Sequence, residues 1–145
     1  MRARLSTDTS DSGAFELMGT DGKDRVFSGV NPTGSGFVIS YGANGNTRVR
    51  LSTDTADKGT FEVMGIDGKD RIFGDIGPTD SGQIETIGSE GNARAFLTTD
   101  STDAGAFYVS GINGKNRVTL RSNPKTGVGM EEFDDANGLV KRALP

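Results

Sequence analysis

Carboxylates are the side chains here with the type and spacing to do chemistry, and they come in pairs. Asp8 stands three residues before Asp11, Asp54 before Asp57, and Asp100 before Asp103. Two carboxylates that close can divide acid and base roles in glycoside cleavage. Beside a glycine turn they can also offer hard oxygen ligands to Ca²⁺. Each pair, however, is a copy of the others at an interval of 46 residues. A catalytic constellation is asymmetric and occurs once. A motif copied three times reads as scaffold, because Asp favours turns by bonding its own backbone. The EF-hand pattern and the glycine-rich calcium nonapeptide are both missing. The chain has no His and no Cys. That removes the usual general base, imidazole and thiolate metal ligands, and disulfides. Gly22-Lys23 and Gly68-Lys69 lack the glycine spacing and following helix of a phosphate loop. We expect no catalytic, cofactor or metal residues, and no enzyme.

The elements that carry these carboxylates repeat throughout the chain. Gly19-Thr20-Asp21-Gly22-Lys23-Asp24-Arg25 returns 46 residues on as Gly65 to Arg71, and again as Gly111 to Arg117. Looser copies, Gly42 to Arg48 and Gly88 to Arg94, stand halfway between, so the period is 23 residues. Six units follow: 2–24, 25–47, 48–70, 71–93, 94–116 and 117–139, with 140–145 as a tail. Each unit opens on Arg: Arg2, Arg25, Arg48, Arg71, Arg94 and Arg117. Gly13, Gly36, Gly59, Gly82 and Gly105 mark the middle of the first five. Two residues later comes an apolar side chain, aromatic in the odd units at Phe15, Phe61 and Phe107. The turn glycines Gly22, Gly45, Gly68, Gly91 and Gly114 close the pattern. The sixth unit decays, as a cap would or as a chain continuing into a longer protein would.

Each unit reads as two short strands and two turns. In the third, Val49 and Leu51 alternate with Arg50 and Ser52, the period of a half-buried strand. Residues 54–59 make a turn, Thr60 to Met64 make a second strand, and Asp67-Gly68 signals a hairpin. Even units carry Pro32, Pro78 and Pro124 where odd ones carry Leu-Ser/Thr-Thr-Asp. Proline there marks a turn or a strand edge. No window shows a helical apolar stripe.

Composition limits what these strands can build. Only 32% of the 145 residues are apolar, and 22 are Gly. Such a chain cannot raise a thick core of its own, so it must bury its strands against copies of themselves or other chains. Its formal charge of -4 and lack of a basic cluster argue against nucleic acid. No run approaches a transmembrane span and no signal peptide is visible.

Three arrangements suit the unit. In a meander, hairpins follow one another and three chains pack about an axis as an all-β prism. In a β-solenoid, each unit is one coil and the Arg column stacks at about 4.8 Å, where like charges repel. In a β-propeller, 46 residues make one four-stranded blade. The meander is preferred, with the Arg and Asp columns setting register between chains. Phe15, Phe61 and Phe107 are expected in the core. Tyr41, Tyr108 and Phe37 are candidates for stacking on sugars.

The run Phe37 to Ser52, with its Asn44-Gly45 turn, resembles the shaft repeats of bacteriophage tail fibres and related prophage fibre proteins. That resemblance implies an elongated homotrimer, extracellular or on a virion, holding a receptor-binding tip away from the particle. It implies no catalytic residues. No chaperone domain or tip is recognisable in the sequence. Two other uses stay open: a lectin- or adhesin-like module binding cell-surface glycan, and a subunit of another microbial surface filament.

Overall fold

A computed structural model describes residues 2–7, 12–54, 56–77, 80–99, 104–123 and 125–134, and the backbone of 140–144. All of its regular structure is strand. The order is β1 (Arg2–Thr7), β2 (Gly13–Met18), β3 (Asp24–Val30), β4 (Gly36–Tyr41), β5 (Thr47–Thr53), β6 (Gly59–Met64), β7 (Asp70–Ile76), β8 (Gly82–Ile87), β9 (Ala93–Thr99), β10 (Gly105–Ser110), β11 (Asn116–Ser122), β12 (Gly129–Asp134) and β13 (Val140–Leu144). The chain divides into two compact units, residues 1–70 and 71–145. In the first, β1 to β6 form a meander in which every strand pairs antiparallel with the next. In the second, β7 to β13 do the same.

These pairings overturn two of the alternatives. A solenoid pairs successive coils in parallel, whereas every pairing within the units is antiparallel. A propeller would break the hydrogen bonding after each four-stranded blade. Here β4 continues into β5 through Val38↔Leu51 and Ser40↔Val49, and β8 into β9 through Ile84↔Leu97. The segment 140–145, read as a tail, supplies β13, which pairs with β12 from Glu131↔Leu144 to Asp134↔Val140. An open strand edge offers unpaired N–H and C=O groups, and a following extended segment satisfies them.

The hairpins on one edge share one turn. Gly19 N donates to the Lys23 carbonyl at 2.8 Å and Gly22 N to the Gly19 carbonyl at 3.1 Å. The turns at 42–46, 65–69, 88–92 and 111–115 repeat that pair of bonds. The second glycine of each turn lies at φ between +74° and +85°. That left-handed conformation suits Gly because it has no Cβ. It explains why Gly22, Gly45, Gly68, Gly91 and Gly114 recur. On the opposite edge of each unit the same turn places Gly34, Asp57 or Asp80 in the left-handed region, at φ 88°, 61° and 65°.

Strand alternation gives each unit one apolar face and one mixed face, here called the polar face, whose charged residues alternate with Phe27, Phe37, Phe73, Phe96 and Tyr108, and neither is covered by a second layer of the same unit. Among the described residues, Ala104 and Ala106 are the only buried hydrophobics, and no large side chain is fully buried. Phe15, Phe61 and Phe107 lie on the apolar face, half-buried, opposite Leu5, Leu51 and Leu97. They are wall residues there, because the strand period assigns a face but supplies no opposing layer.

Candidate interaction face and its braced turns

The repeated arginines occupy β-bulges. Leu17 pairs with Val26 and Met18 with Asp24, which leaves Arg25 as the extra residue. Arg48, Arg94 and Arg117 fall in the same place at the next described hairpins of this kind. A bulge re-aims its side chain, and here each guanidinium folds back over its own turn. Arg25 donates to Asp21 Oδ2 at 2.7 Å, Arg48 to Asn44 Oδ1 at 2.9 Å, Arg94 to Glu90 Oε2 at 2.6 Å, and Arg117 to Asn113 Oδ1 at 3.1 Å. The first glycine of the turn is the seat. A Cβ on Gly42 would stand 2.8 Å from Arg48 Nε, and one on Gly88 or Gly111 would stand 2.6 Å from Nε of Arg94 or Arg117. Sequence reasoning saw these glycines as turn residues and missed that they make room for a cation.

Two of these arginines also reach the neighbouring turn on their edge. Arg48 Nη1 donates to the Gly65 carbonyl at 3.0 Å, and Arg94 Nη1 to the Gly111 carbonyl at 2.7 Å. The arginine column, expected to set register between chains, therefore has work within its own chain. Its acidic partners titrate accordingly. The hydrogen bond from Arg25 holds the Asp21 carboxyl below its ordinary value. Glu90 is lowered to about 2, first by the Ser89 hydroxyl, then by its own backbone amide and Arg94.

Of the paired carboxylates, Asp54 bonds the backbone of its own turn. Asp54 Oδ1 accepts from Ala56 N at 2.8 Å and Lys58 N at 2.9 Å. Asn31 makes the same two bonds in the preceding loop, to Thr33 N and Ser35 N, both at 3.0 Å. An amide that does the same work shows that the negative charge is not what the position requires. Asp8, Asp11, Asp100 and Asp103 lie outside the described residues. Among the described residues no group of three carboxylates, His or Cys is placed to hold a metal.

The polar face carries cross-strand pairs. Arg4 donates to Glu16 at 2.6 Å, which raises the Arg4 pKa, and Arg50 stands 3.1 Å from Glu62. At the equivalent third position the pair becomes Phe96 and Tyr108, ring centroids 6.1 Å apart. Phe37, the other aromatic considered for sugars, leans on Phe27 at 5.4 Å. Tyr41 sits beside the Arg48 bulge, paired with Thr47.

The apolar face is the surface left without a partner. Nine of the twelve exposed large hydrophobics among the described residues lie on it, Leu5 at 82%, Leu97 at 53% and Leu51 at 50% among them. The other three, Ile66, Ile112 and Val128, lie in turns. In the first unit it has three rows. Ala3, Leu17, Val26, Ser40, Val49 and Val63 run beside the arginine turns. Leu5, Phe15, Ser28, Val38, Leu51 and Phe61 run down the middle. Thr7, Gly13, Val30, Gly36, Thr53 and Gly59 form the far margin. The second unit repeats the scheme, and by register Glu131 and Arg142 are the charged residues among its described strand positions on this face. A contiguous apolar surface of this kind marks an interaction site.

No family model matches the chain, and no curated protein matches it. Among the described residues no helix is long and apolar enough to cross a membrane.

Proposed function

We propose that this chain is a structural segment of an extracellular fibre, of the type that forms the shaft of a phage tail fibre. Three identical chains would assemble through their apolar faces and hold a receptor-binding tip away from the particle. The observation that carries this reading is the division of labour in the repeat. The conspicuous polar residues are consumed in closing and bracing turns, and the surface left unsatisfied is an apolar sheet face. That pattern suits a part whose work is mechanical. Braced turns resist fraying and proteolysis, and repeated hairpins set length.

Light scattering combined with small-angle X-ray scattering tests it. The expected particle has three chain masses and an elongated form. A compact particle of one chain mass would overturn the reading.

A second reading has one observation behind it. Phe96 and Tyr108, with Glu85 and Asn116, border an open hollow of about 460 Å³ on the polar face. Adjacent rings and a carboxylate are groups that hold sugars, so a glycan-contacting patch on the same fibre is consistent with this site. A glycan array answers it, and Tyr108→Ala should abolish any signal that arises there.

A further inference from the structure

Resting on the trimeric reading, we propose that the apolar face of each unit is the inner wall of a three-chain prism, and that its glycine row is the corner seam where one chain's sheet margin meets the next.

The glycines pose the problem. Gly13, Gly36, Gly59, Gly82, Gly105 and Gly129 each begin a strand and point to the apolar face. None has a positive φ. A Cβ built on any of them meets no described atom closer than 4.0 Å. Glycine weakens a strand interior, and it marks places where another backbone comes close. Among the described residues of each unit nothing comes close to these. Each faces a β-branched or hydroxyl residue across its hairpin, from Thr7↔Gly13 and Val30↔Gly36 to Ser122↔Gly129. The row is therefore small on every second strand. In the second unit an open hollow of about 590 Å³ lies over it, bordered by Gly105 and Gly129 and by Leu97, Phe107 and Leu120.

The order of side-chain sizes across the face selects the assembly. The largest residues run down the middle and the smallest along one margin. Strands of about six residues are about 20 Å long, which in a three-walled prism puts the axis about 6 Å from each wall. A Leu or Phe from the middle row spans that distance. At the corners the walls converge, and an inward side chain has least room there. A two-sheet sandwich keeps a nearly uniform gap of about 10 Å and would need its margin filled as well as its middle. The glycine margin suits the corner and not the sandwich.

Area and charge suit identical chains as the occupant. Six strands at about 4.8 Å spacing give each unit's face about 550 Å². One unit's face alone is therefore about two thirds of the roughly 800 Å² per partner of a standard interface. The first unit's face carries no charge at its paired strand positions. The net charge of -4 on each chain therefore does not oppose contact there.

The test compares the full wild-type chain with Gly36→Val/Gly59→Val, its milder form Gly36→Ala/Gly59→Ala, and Gln83→Val on the polar face. Sedimentation gives mass and association constant, and far-ultraviolet circular dichroism gives strand content. Wild type and Gln83→Val should both sediment as trimers. The alanine and valine variants should keep their strand signal, because a Cβ at either site meets no described atom of its own unit closer than 4.0 Å. Their trimers should weaken progressively, the valine form by at least about tenfold. Glycine variants that associate like wild type would overturn the seam while leaving the trimer standing. A wild-type monomer or dimer would overturn both the seam and the trimeric reading beneath it.

Discussion

Arg48 donates a hydrogen bond to the carbonyl of Gly65, seventeen residues along the chain, at 3.0 Å. The same guanidinium holds Asn44 in its own turn at 2.9 Å. One side chain thus ties two successive turns of an edge together, and Arg94 repeats the arrangement with Glu90 and Gly111. Adjacent hairpins are braced at their ends without any contribution from a core.

This brace predicts the effect of two substitutions. Arg48→Ala removes its hydrogen bonds, and Gly42→Ala pushes the guanidinium off its seat. Each should lower stability by about 1–2 kcal/mol. Because both break one interaction, the double variant should lose little more than either single one. A double-mutant cycle by urea unfolding measures this, and full additivity would show that Gly42 does not seat the arginine.

The loop-edge turns give a second prediction. Asp57 sits at φ 61°, which Asp tolerates and β-branched residues do not. Asp57→Val should destabilise by about 1–2 kcal/mol, while Asp57→Gly should not. Thermal unfolding of the pair reads the difference directly.

Acid should loosen the braced turns. Glu90 in the folded chain is lowered from 4.5 to about 2, so the folded state takes up this proton at lower pH than the unfolded chain does. The contribution is therefore complete above pH 4.5 and fades as pH falls toward about 2. Glu90→Gln should flatten that part of the stability profile. Added salt should reduce the difference between the two proteins, because the pair is exposed.

Much of this was legible in the sequence, for reasons that differ by residue. Val49, Leu51, Phe61 and Val63 alternate with polar residues, so their strands and their common face follow from the period of two. Gly68 follows Asp67 in a repeated turn, so its left-handed backbone was readable too. The role of Arg48 was not, because the bulge that re-aims it shifts the register by one residue and its second acceptor lies in another hairpin. Gly59 looked like part of a turn. Only the structure shows it in a strand, with no described atom within 4 Å of where a Cβ would stand. Phe61 was assigned to a core because alternation identifies the face to be covered but not the chain that covers it.

The apolar wall gives a prediction about stability as well as assembly. Phe61→Ala removes a middle-row side chain that is half-buried in one chain and would be enclosed in three. It should lower the stability of the assembled form by about 3 kcal/mol. Under conditions where the chains are dissociated, the loss should be much smaller. Unfolding followed over a range of protein concentrations separates the two.

The central claim is that identical chains cover the apolar face. The chain has no cysteine of its own, so a single Leu51→Cys variant tests the claim by oxidative crosslinking. Leu51 lies in the middle row and is 50% exposed in one chain. In the proposed three-chain prism it would meet its counterparts from the other chains. The account predicts rapid formation of a covalent two-chain product from Leu51→Cys, and none from Gln83→Cys on the polar face of the second unit. Equal crosslinking of the two variants, or none from Leu51→Cys, would contradict it.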